Sequence, residues 1–200
     1  MERSEILNDL AAAFRWAAKL NMHEGIANHF RACVPGSSDF YVNGSGMHFS
    51  TIRASELILV EQNKIEEVKK NPELPPIDQN TMRFYNRVAI YDDFGGLGFE
   101  EESNKMAACI GNHRTMLLTN HGILTTGQTI AQAFDELFYF EKACETYITA
   151  LSTGKELNVA TPDVAEKTAQ DWENYPIALD ELHLKALRSI LDTEDPSYKQ

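Results

Sequence analysis

Two apolar runs set almost back to back, followed by one long apolar stripe, restrict this chain more than any other feature. Thr115-Met116-Leu117-Leu118-Thr119 and Ile123-Leu124-Thr125-Thr126 read as strands. Asn120-His121-Gly122 separates them, so they fold back on each other as a hairpin, with glycine where a positive φ is needed. Gly127 ends the second run and Thr129 caps a helix. On it Ile130, Ala133, Phe134, Leu137, Phe138, Ala143 or Cys144, Tyr147, Ile148 and Leu151 recur at amphipathic spacing until Gly154 stops it. A hairpin feeding such a helix belongs to an α/β fold whose sheet is at least partly antiparallel.

The rest of the chain extends this pattern. Ile6, Leu7, Leu10, Phe14, Ala17 and Ala18 predict a helix over 4–20, with Ser4 as its N-cap. Residues 39–43 read as a short strand entering the turn Asn43-Gly44-Ser45-Gly46, and Leu57-Ile58-Leu59-Val60 as a buried strand. Residues 62–80 are polar, hold Pro72, Pro75 and Pro76, and predict a loop with at most one helical turn. Residues 83–93 read as strand or irregular chain, and 100–110 as a helix with an acidic first turn suited to the helix dipole. Thr161 caps a helix opened by Pro162, and a last helix covers 178–191. There is no internal repeat. At 200 residues the expectation is one domain: a three-layer α/β/α sandwich around a mostly antiparallel or mixed central sheet.

Charge narrows the partners. With 30 acidic against 18 basic residues the net charge is −12, which disfavours nucleic acid and anionic membranes. A small anionic substrate is still compatible, because a local cluster of N–H donors overrides the average field. No run reaches the ~20 apolar residues of a membrane span, and the start, Met-Glu-Arg-Ser-Glu, does not read as a signal peptide. Cys33, Cys109 and Cys144 are odd in number, far apart and without a Cys-x-x-Cys, so reduced thiols in the cytoplasm are expected.

No nucleophile elbow, Walker loop or dinucleotide fingerprint is present, and Gly95-Gly96-Leu97-Gly98 reads as a plain turn. Glu100-Glu101-Glu102 reads as a solvated helix start, since neighbouring side chains on a helix do not converge. The histidines His23, His29, His48, His113, His121 and His183 form no His-x-His, His-x-x-x-His or His-Glu-x-x-His. His183 is expected on the surface and His113 in a loop. His121, at the tip of the strand pair, is either a well-aimed ligand or a structural residue. Asn43-Gly44-Ser45-Gly46 is either an anion cradle, with backbone N–H groups and the Ser45 hydroxyl as donors, or a turn without a ligand.

Several passages, in order, resemble the class II aldolase/adducin family, on its adducin-head-like branch. They are Gly25-Ile26-Ala27-Asn28-His29-Phe30-Arg31-Ala32, Ser45-Gly46-Met47-His48-Phe49 with Arg53 to Val60, and Gln79-Asn80-x-x-Arg83-Phe84-Tyr85-Asn86-Arg87-Val88-Ala89. The strongest is Asn120-His121-Gly122-Ile123-Leu124 with Gly127-Gln128-Thr129, and Trp172 and Tyr198-Lys199 fit the end. The resemblance implies a homo-oligomeric, divalent-metal-dependent aldolase. Its ion, usually zinc, is held by two histidines of a His-x-His strand and one from the Asn-His-Gly turn, with a glutamate as acid/base. It implies His121 as a metal ligand and Asn28, Ser45 and Gly46 as the residues binding the substrate's phosphate or carboxylate.

The departure lies between Gln62 and Gln79. There the family's glutamate-bearing helix and His-x-His strand give way to a short stretch without histidine, read as a deletion of that unit. One imidazole cannot hold a zinc ion that wants three or four protein ligands. Without the metal several kcal/mol of enediolate stabilisation disappear, and without the glutamate roughly another 10²–10⁴-fold. No catalytic residue is therefore nominated. Three readings follow: a family member without catalysis, a metal-dependent lyase with a site rebuilt from His121 with His29, His48 or His113, and an adducin-head-like interaction module.

Overall fold

The structure is a computed structural model that describes residues 3–23, 29–37, 39–44, 47–60, 74–92, 100–119 and 121–200. Six helices are present among them: α1 (Arg3–Lys19), α2 (Gln79–Arg83), α3 (Glu100–Ile110), α4 (Ile130–Ser152), α5 (Pro162–Glu173) and α6 (Leu179–Glu194). The strands are β1 (Arg31–Cys33), β2 (Phe40–Val42), β3 (Ile58–Val60), β4 (Val88–Tyr91), β5 (Thr115–Leu118) and β6 (Gly122–Thr125). The fold is mixed α/β. Among the described residues the strands pair as two three-stranded sheets, β1-β2-β3 and β4-β5-β6, where the sequence led us to expect one central sheet. The chain divides into two compact units, one of Met1–Lys64, Gln128–Phe134 and Leu179–Gln200, the other of Ile65–Gly127 and Asp135–Ala178.

In the first unit α1 is the core. Ile6, Leu10, Phe14 and Ala17 pack on Ala32, Tyr41, Phe49 and Ile52. Phe14 lies between Phe30, stacked at 4.9 Å, and Phe49, edge-on at 4.6 Å. The small Ala11 and Ala12 on another face admit Ala54, Leu191 and Tyr198. Arg15 is buried among acceptors: its Nε donates to the Ile52 carbonyl at 2.8 Å and its Nη1 pairs with Asp195 at 2.7 Å. The helix already includes Arg3, so Ser4 sits inside it and is not its N-cap. The antiparallel sheet puts β3 at its edge, with Ile58 51% and Leu59 46% exposed, which corrects the expectation of a buried strand. An edge strand of three residues has a neighbour on one side only, and a short apolar run carries no periodicity that reveals this.

In the second unit β4 and β5 run parallel and β5 and β6 antiparallel, in the register Leu118↔Gly122 to Thr115↔Thr125. Parallel neighbours need a crossover, and α3 supplies it: Met106, Cys109 and Ile110 pack on Ala89, Tyr91, Met116 and Leu118. The helix keeps its expected bounds. Asp78 caps α2 by accepting from Thr81 N at 2.8 Å. Phe84 meets Phe140 of α4 edge-on at 5.0 Å, and Val88 and Ala143 complete that cluster. Thr129 caps α4 through Oγ1, which accepts from Gln132 N at 3.1 Å, and Gly154 follows its end at φ +65°. Ile148 and Leu151, expected on the apolar stripe, are exposed. Thr161 occupies the N-cap position of α5, but its side chain makes no capping hydrogen bond. The three cysteines are free thiols, and among the described residues no helix is long and apolar enough to cross a membrane.

Candidate functional site

His121 is placed by the β5–β6 hairpin. Leu118 and Gly122 are the last register pair, Gly122 takes φ +150°, and His121 N donates to the Leu118 carbonyl at 3.0 Å. The imidazole is therefore carried on an exposed strand tip, as the sequence implied. Beside this end of the sheet, Thr119 N donates to the Tyr91 carbonyl at 2.9 Å, and the Tyr91 hydroxyl donates to Glu102 at 2.5 Å. Asn28, Ser45 and Gly46, expected to bind the substrate's anionic end, lie outside the described residues, as do the 62–73 part of the proposed deletion and the Gly95–Gly98 turn.

The other histidines fall in distinct places. His23 and His48, both in the first unit, meet edge-on at 4.8 Å, and His23 also stacks on Phe49 at 5.9 Å. His48 Nδ1 accepts from Ser50 N at 3.2 Å and lies 2.7 Å from Ser50 Oγ. No sequence spacing announced this pair, since the residues are far apart in the chain. His113 is in a loop as expected, at the start of β5, and His183 is half-buried with its ring 6.1 Å from that of Phe134. Among the described residues no three His, Cys, Asp or Glu side chains come together at one point. The described residues thus do not by themselves assemble the three protein ligands of a zinc site.

A cleft of about 290 Å³ opens in the second unit, lined by Arg83, Asn86, Arg87, Asn112, His113, Arg114, Glu136, Trp172 and Glu173. Arg83 donates to Asp135 at 2.8 Å and lies over the rings of Tyr139 at 4.6 Å and Trp172 at 5.5 Å. Arg87 pairs with Glu166 at 2.6 Å and grips both oxygens of Glu173 at 3.0 and 3.1 Å. These bonds hold the Glu166 carboxyl down at about 2 and push the Arg87 guanidinium further up. Glu136 accepts from the Thr115 hydroxyl at 2.8 Å. Burial raises its carboxyl, against the pull of Thr115, Arg83 and Arg114. Sequence reading missed this cleft. The signal it offered was two arginines four residues apart before an acidic helix.

Residues 8–73 and 67–148 match the Class II Aldolase and Adducin N-terminal domain family. A Pseudomonas aeruginosa protein named for aldolase class 2 is 27% identical over 236 aligned positions, covering 96% of this chain and 91% of its own length. Human beta-adducin is 31% identical over 81 residues, 40% of this chain and 11% of its own. The crystal structure of an aldolase II superfamily protein from Pseudomonas syringae superimposes with TM-score 0.86 at 26% identity, covering 100% of this chain and 96% of that one. The chain is a member of the class II aldolase and adducin N-terminal domain family.

Proposed function

We propose that this chain keeps the family scaffold without aldol chemistry. One observation carries the reading: nowhere in the 200 residues is there a His-x-His. Two further facts support it. The match to the Pseudomonas aeruginosa relative runs over 236 positions, more than the chain has, so the alignment opens gaps opposite residues the relative possesses. His121 alone supplies one donor of the three that zinc needs. In this reading the missing unit lies between Gln62 and Gln79, and Asn28, Ser45 and Gly46 keep an anion pocket with no Lewis acid beside it. The chain is a cytoplasmic homo-oligomer arranged as a three-layer sandwich.

Metal analysis of the purified chain, with native mass and an assay on small hydroxy-carbonyl compounds and their phosphates, tests this. The expected result is no stoichiometric zinc or manganese and no cleavage or α-proton exchange. Stoichiometric metal lost on His121→Ala, together with turnover, overturns it in favour of the rebuilt site. The stretch shared with beta-adducin favours a second reading, an interaction module. It expects partner binding that ignores chelators and survives His121→Ala.

A further inference from the structure

We infer that the cleft at the start of β5 binds a small oxyanion, a carboxylate or phosphate group, through Asn112, His113 and Arg114. Its volume of about 290 Å³ admits a compact metabolite-sized group. Several of the lining charges are already engaged. Arg83 is taken by Asp135, and Arg87 by Glu166 and Glu173. The acidic groups are engaged as well, Glu136 by Thr115 and Glu173 by Arg87. By contrast, among the described residues the Arg114 guanidinium has no ion-pair partner within 4.0 Å, and the side chains of Asn112 and His113 make no hydrogen bond. Each of these three side chains offers N–H donors, and the residues are consecutive in the chain.

The backbone of His113 and Arg114 is pinned by hydrogen bonds. His113 N donates to the Ile110 carbonyl at 2.9 Å, and the Arg114 carbonyl accepts from Thr126 N at 2.7 Å. A guanidinium on a pinned strand start can grip two oxygens at once, with amide and imidazole donors beside it. Trp172 also lines the cleft. In a chain of net charge −12, a guanidinium that feels Glu136 only at a distance, beside other N–H donors in a cleft, is where a small anion gains most. The cleft is distinct from the His121 turn: Arg114 and His121 flank opposite ends of β5, with roughly 13 Å of strand between them. The inference stands whether or not the chain turns over a substrate.

The test titrates the full chain with inorganic phosphate and, separately, with malonate at constant ionic strength, following the Trp172 indole N–H resonance. A saturable shift is expected with one or both, and the tighter anion names the class. Arg114→Gln should weaken it by about tenfold or more. Asn112→Asp, an exposed change that adds a negative charge, should weaken it too, and Ser45→Ala should leave it unchanged. No saturable shift with either anion overturns the inference. So does a shift that survives both cleft variants or disappears in Ser45→Ala.

Discussion

Gly122 shows what one residue does for the site. Its φ of +150° lies where a Cβ is strained, although no atom lies within 4 Å of the place a Cβ would take. The cost of a side chain there is therefore conformational, and glycine avoids it in the turn that presents His121. Gly122→Ala is expected to cost about 1–3 kcal/mol, read as a lower urea midpoint. Glu166 gives a second expectation. Its carboxyl falls from an ordinary 4.5 to about 2 through its bond to Arg87. A depressed carboxylate adds stability above its unfolded pKa and loses it as pH falls toward the folded one. Urea midpoints should therefore drop between about pH 5 and pH 2, and Glu166→Gln should flatten that decline.

At the scale of elements, legibility followed periodicity. The α3 bounds, the β5–β6 hairpin and the start of α4 could be read because each rests on local chemistry: an apolar period, a glycine, a cap. What could not be read depends on neighbours. β1 has three residues and no pattern of its own, and β3 has an interior composition at an edge position. The Thr161 cap fails although the residue type is right, because position alone does not aim a hydroxyl. The packing around α5 was equally invisible, and it gives the next expectation. Arg83 bridges Asp135, which is 3% exposed, and the rings of Tyr139 and Trp172. Arg83→Ala takes the guanidinium away from a buried carboxylate and should cost about 3–5 kcal/mol, measured by equilibrium denaturation. Arg83→Lys should recover only part, since an ammonium neither stacks nor forks.

For the whole molecule, the family was legible from motifs spread along the chain, and its match extends over residues 8–148. The candidate site was legible only in part. His121 stands where the Asn-His-Gly turn implied, whereas the His23–His48 contact and the Arg114 cleft arise from residues brought together by folding. The first unit also has an unusual order of assembly. Its central helix precedes by some 170 residues of chain, about the separation of α1 and α6, the Leu191 and Tyr198 that cover one face of it. A ribosome must therefore finish residues 179–200 before that helix has its full cover. Until then the growing polypeptide displays a bare apolar surface, a natural client for chaperones that shield nascent chains.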